Sequence, residues 1–322
     1  MVRLTMVYTA NPGKVFRNNA LVGVLAWLAV WVLLRPEWVV CILLFAPLVC
    51  VPLGLALLID QKELGKVSRI WPALAIAQPF GAAWLVGAFA VPAGMLAGLL
   101  TVPWLLVTLT VAFVGLKRLA LSRLRSTADL CISAGMIFLV IGAGWTLLSR
   151  LGARPLEFSD IIVLLTGVHF HYAGFVLPLL TGLAGEHLGN TTSRLAAVGV
   201  VTGVPLVAVG ITVGRWVPLV ETLAALWMTS ACFLVVYMQA LLARRSSWVV
   251  VSGLMSLSGM LLLAGMMLAA VYAVKSYFGK SWLEVDTMIN WHGSINSFGF
   301  ALSGLLGWTL FRSKSPADKM LD

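Results

Sequence analysis

The chain has 322 residues, of which 61% are hydrophobic and only 11% charged, with a net charge of +10. Soluble domains carry roughly 25% charged residues, so this much apolar surface cannot close into one water-soluble core. The positive charge is scattered over short loops with no basic arm or RNA-reading motif, which argues against a nucleic-acid partner and for membrane topology. Hydrophobic runs recur at about 18–34, 38–60, 70–90, 92–116, 129–149, 160–184, 194–213, 216–243, 247–274 and 286–311. Each is near the roughly 20 residues that carry a helix across the hydrocarbon. The third and fourth runs are joined only by Val91-Pro92, and a proline there would break a single longer helix. The sequence therefore predicts an all-α integral membrane protein: a single polytopic domain over 1–322, folded as one bundle of about ten transmembrane helices.

Sorting the 22 Lys and Arg by alternate sides supports that count. One side keeps six, namely Arg35, Arg150, Arg154, Arg215, Lys275 and Lys280, and the other sixteen share the side of both termini. Such a bias predicts cytoplasmic termini and a multi-pass protein of the cell membrane. The start of the chain, MVRLTMVYTANPGKVFRNN, is too polar to read as a cleaved signal peptide. Cys41, Cys50, Cys131 and Cys232 lie far apart in apolar runs without metal-ligand spacing, so packed free thiols are expected and no zinc site.

Ionisable groups deep in a span are costly unless paired or hydrated, and so mark candidate functional positions. The sixth run carries 167-GVHFHYAGFVLPLLTG-182, with His169, Phe170, His171 and Tyr172. The tenth carries 286-DTMINWHGSINSFGF-300, with Trp291, His292 and Asn296. At 1.5 Å per residue, His171 and Asn296 each lie about 15 Å from the start of their helix, so the two sets can share a depth and line one cavity. On a regular helix His169 and His171 point about 200° apart and cannot ligate one metal, whereas His292 and Asn296 face together. Opposed histidines also disfavour a haem or quinone site, and no cofactor is expected. A lone intramembrane His is often only a helix-to-helix hydrogen-bonding group, and that reading stands beside the functional one for His169 and Tyr172. Gln78 precedes Pro79 and can either bond a carbonyl that the proline frees or line the cavity. Trp84, Trp104, Trp145, Trp227 and Trp291 fall deep within spans, where aromatic faces attract a cation.

The stretch 169-HFHYAGFVLPLLTGL-183, the later His292-Gly293, Asn296 and Gly299-Phe300, and the segments 49-VCVPLGLAL-57 and 78-QPFGAAW-84 resemble the YndJ-like family of polytopic bacterial membrane proteins. The resemblance covers most of the spans, and its two histidine motifs are the specific part. It implies kinship with the actinobacterial transmembrane terpene cyclases of indole-terpenoid pathways, which cyclise a farnesylated indole after protonating an alkene or epoxide. On that implication the partner is a prenylated small molecule entering from the bilayer. The chemistry requires an acid, a water-poor pocket, aromatic faces and a final base. A neutral carboxylic acid suits the first role. Glu221 and Asp160 are the expected donors, with His171 and His292 as further catalytic candidates. His169, Tyr172, Asn296, Gln78, Trp84, Phe170 and Trp291 are the expected substrate contacts. Asp60 and Glu186 are alternative acids if the cavity opens at the other face. The competing expectation is a proton-coupled transporter of a small molecule or lipid that uses the same groups.

Overall fold

A computed structural model describes residues 11–59, 70–122, 126–279 and 284–313. These are helical nearly throughout and contain no strand. The helices are α1 (Pro12–Leu34), α2 (Trp38–Ile59), α3 (Ile70–Phe89), α4 (Met95–Ser122), α5 (Thr127–Leu151), α6 (Asp160–Leu188), α7 (Thr191–Gly214), α8 (Pro218–Arg245), α9 (Val249–Tyr277) and α10 (285–313). Among the described residues, nine are long and apolar enough to cross a membrane by length and composition. The tenth, α10, starts at the polar run 286–297. The chain is thus an all-α, multi-pass membrane protein. Asp60 lies outside the described residues.

Local chemistry sets the helix ends. Asn11 caps α1 by accepting from the Gly13 N–H at 2.9 Å, with Pro12 in the first turn. Asn190 does the same for α7 through Ser193 N–H, and α6 stops at Gly189 in the left-handed region (φ 59°). The Val91-Pro92 break expected between the third and fourth spans is present, and Arg150 holds it. Its Nε donates to Ala88 O at 3.2 Å, its Nη2 donates to Val91 O at 2.8 Å, and its guanidinium lies over the Phe89 ring. A cation thereby satisfies carbonyls that the end of α3 leaves without partners. Arg150 is a clamp as well as a topology signal.

The described chain forms two compact units. The first contains α1 to α4, α5 from Met136 onward and α6 as far as His171. Its core helix is α2, apolar on every face and buried nearly throughout, as an all-round hydrophobic helix must be. In contrast α1 leaves Leu21, Val22, Leu25, Val32 and Leu33 exposed, a face suited to lipid. At residues 46–50 α2 widens. The Val51 N–H reaches back five residues to Ala46 O, and Pro52 has no N–H to offer Pro47 O or Leu48 O. Two carbonyls are displaced from the ladder as a result. Pro47 O accepts Gln78 Nε2 at 2.8 Å, and Leu48 O presses against α1 at Gly23. Pro79 likewise frees Ala75 O, which accepts Asn19 Nδ2 at 2.8 Å. Gln78 does bond a carbonyl that a proline frees, but on the neighbouring helix, while Asn19 serves the one freed by Pro79.

The second unit contains the start of α5, α6 from Tyr172, and α7 to α10. Gly199, Gly203, Gly210 and Gly214 form two small-xxx-small pairs on α7 and let α8 approach closely, so that a Cβ at Gly199 would meet Ala231 Cβ at 2.7 Å. Thr222 Oγ1 on α8 donates to Ala273 O on α9 at 3.0 Å, and Ser258 Oγ on α9 donates to Phe300 O on α10 at 2.9 Å. These side chains tie α8, α9 and α10 together.

Candidate functional site

Both motifs singled out in the sequence end on, or contain, widened backbone. α6 is regular to His171 and then widens over Tyr172–Val176, just before Pro178. α10 widens over Met288–Gly293 and again over Ile295–Ala301, with no proline nearby. Turns that bond i to i+5 are rare, occur mostly as single bulges and concentrate at functional sites. Two in succession around His292 and Asn296 are the most unusual backbone feature of the chain.

In the first unit His171 is fully buried and both ring nitrogens are engaged. Trp104 Nε1 lies 3.1 Å from His171 Nε2, and an indole N–H can only donate, so Nε2 is the acceptor. The proton therefore sits on Nδ1, which donates to Gly167 O at 2.7 Å. The two rings also stack, 16° from parallel. Gly142 on α5 makes room, since a Cβ there would lie 2.8 Å from His171 Nδ1. His169 faces elsewhere, as expected, and donates from Nδ1 to Leu165 O at 2.8 Å. Phe170 packs edge-on against Phe138. These contacts make His171 a neutral, saturated anchor for α4, α5 and α6. Trp104→Phe keeps the ring and removes the donor, leaving Nε2 buried without its partner. The expected cost is about 1–3 kcal/mol, read as lower thermal stability in detergent. A variant as stable as wild type would remove the anchoring role.

In the second unit His292 Nδ1 donates to Gly265 O on α9 at 2.8 Å, and Asn296 Nδ2 donates to His292 O at 2.8 Å. A Cβ on Gly265 would strike Asn296 Nδ2 at 2.4 Å, so this glycine is where the pair docks. Their shared face matches the expectation from i, i+4 spacing. Tyr172 also lies in this unit and is buried.

The carboxyls separate by environment. Asp160 sits exposed at the start of α6 in a two-point pair with Arg154, Nε to Oδ1 at 2.7 Å and Nη2 to Oδ2 at 2.5 Å. Glu186 pairs with Arg312 at 3.5 Å. Glu221, in the first turn of α8, is half-buried and has no ion pair among the described residues. It lies within electrostatic reach of Tyr272 on α9. Tyr272 is seven residues from Gly265, which puts both on one face of α9 about 10 Å apart along the axis. The second unit thus places Glu221 and the His292–Asn296 pair along a single helix face.

The tryptophans divide in a way the sequence did not foretell. Trp84 is 51% and Trp291 63% exposed, whereas Trp104 is wholly buried. Gln78 is buried and committed to the α2 turn. Trp104 was legible as a deep aromatic but not as the partner of a histidine 67 residues away. No local signal marks that pairing.

A family model described as YndJ-like protein matches residues 41–300, which takes in both widened motifs. The chain is similar to an uncharacterized membrane protein YndJ of Bacillus subtilis (strain 168), at 24% identity over 215 residues. That match covers 66% of this chain but 38% of the relative, so the chain spans well under half of that protein's length. No solved structure matches the chain.

Proposed function

The chain belongs to the YndJ-like family, and from that premise we propose that it is a membrane-embedded, metal-independent cyclase acting on a prenylated aromatic substrate drawn from the bilayer. The observation that carries this reading is the convergence of Glu221, Tyr272, His292 and Asn296 along one face of α9. In this reading Glu221 donates a proton to a terminal alkene or epoxide of the prenyl chain. Internal double bonds attack the resulting cation in turn, ring bonds form, and a proton is finally lost to a base, for which His292 is the candidate. Atoms balance: the product is an isomer of the substrate, and between turnovers His292 releases its proton to solvent while Glu221 takes one up. Glu221 is in no ion pair among the described residues, in contrast to Asp160 and Glu186. An apolar prenyl tail favours apolar surroundings over water.

The widened backbone of α10 favours a second reading, a proton-coupled transporter. Mid-span segments that leave the regular ladder present carbonyl oxygens to solutes and ions. One experiment separates the two. Detergent-purified protein is incubated with a farnesylated indole and related prenylated aromatics, and products are analysed by mass spectrometry. An isomeric product of unchanged mass supports the cyclase. Folded protein that gives no isomer from any of them, together with solute counterflow in proteoliposomes, would establish transport in its place.

A further inference from the structure

We propose that Gly214 and Tyr272 are positioning residues that seat and cover the Glu221 carboxyl, an inference that rests on the reading of Glu221 as the proton donor. An acid in the first turn of a helix can normally extend to water at the membrane surface. Glu221 instead folds back across the end of α7. A Cβ on Gly214 would lie 2.6 Å from Glu221 Oε2, 2.8 Å from its Cβ and 3.3 Å from its Cδ, so the side chain lies flat along the Gly214 backbone. One turn earlier, Gly210 gives the same clearance to the Glu221 main chain, with Cα at 3.1 Å. These two glycines form the floor of a slot as deep as a methyl group.

The opposite wall is α9. Thr222, the next residue after Glu221, is bonded to Ala273 O and fixes α8 against α9 at this level. Tyr272, adjacent to Ala273, is half-buried and within electrostatic reach of the carboxyl. Lys275 does not displace it, because its ammonium lies over the Tyr272 ring, 5.1 Å from the centroid. Arg215, at the end of α7, lies with its guanidinium over the Trp216 ring. A carboxyl held in such a slot is half-buried against the end of α7.

The test reads accessibility and needs no turnover. Full-length protein in detergent is treated with dicyclohexylcarbodiimide, which reacts with protonated carboxyls in apolar surroundings, or with a charged, water-soluble carbodiimide. Adducts are located by peptide mass, with Glu221→Gln identifying the Glu221 signal. In wild type the apolar reagent labels Glu221 and the charged reagent does not. Gly214→Ala fills the slot, slows apolar labelling, and admits the charged reagent. Tyr272→Ala uncovers the carboxyl and also admits the charged reagent, whereas Tyr272→Phe retains the ring and the wild-type pattern. Gly87→Ala is the control, since a Cβ at Gly87 meets nothing within 4 Å. If Gly214→Ala does not fold, Tyr272→Ala against Tyr272→Phe carries the test. Wild-type labelling in both Gly214→Ala and Tyr272→Ala overturns the proposal. Altered labelling in a protein that makes no isomer would remove the cyclase reading and leave the seat standing.

Discussion

Glu221→Gln is expected to lower turnover of a prenylated aromatic substrate by at least about a hundredfold, the lower end of what a positioned general acid contributes. Gln matches Glu in length and shape, so it can lie along Gly214 and leave α7 and α8 packed as before. What it lacks is the transferable proton. Asp160→Asn is the contrasting variant. It breaks the exposed pair with Arg154 at the start of α6, a contact that solvent screens. Its turnover should stay within a few-fold of wild type by the same reckoning. A Glu221→Gln protein with full activity and wild-type elution on size exclusion would remove Glu221 from the reaction.

Gly23→Ala is expected to be the most destabilising single-methyl change in the chain. A Cβ at Gly23 would lie 1.8 Å from Leu48 O and 2.7 Å from Leu48 C. Both are backbone atoms, and no side-chain rotation relieves them. The Leu48 carbonyl is free of the helix ladder because its i+4 residue is Pro52, just past the widened turn at 46–50. To admit the methyl, α1 must withdraw from the buried core helix of its unit. Overpacking of this kind costs typically 1–3 kcal/mol, and here about 3 kcal/mol or more is expected because the backbone itself must move. Gly87→Ala, in open space on α3, should be neutral or stabilising by about 0.5–1 kcal/mol, since Ala is the better helix former. Thermal unfolding in detergent compares the two. Equal stability would mean that α1 and α2 do not meet at Gly23.

The membrane spans were legible because hydrophobic length and a proline at position 92 are local properties of the sequence. The opposed faces of His169 and His171, and the shared face of His292 and Asn296, followed from helix periodicity in the same way. The widened turns were not legible. Pro47 and Pro178 hint at two of them, but 288–301 contains no proline, and its backbone depends on how α10 packs against α9. Partners that lie far apart in sequence were also hidden. Trp104 on His171, Gln78 on Pro47 O and Gly214 beneath Glu221 are tertiary pairings that no spacing rule predicts. The carboxyls show the same limit. Asp160 and Glu221 look alike as acids near span ends, and only the fold gives one an arginine and the other a glycine slot.

The most direct measurement of the cyclase account runs wild-type protein in heavy water with a prenylated indole whose terminal group is an alkene. Protonation by the enzyme's acid predicts a cyclised product in which one solvent deuteron is bound to carbon at the former alkene terminus, formed by wild type and lost in Glu221→Gln. A cyclised product without that deuteron, or no isomer at all from folded wild-type protein, would contradict it.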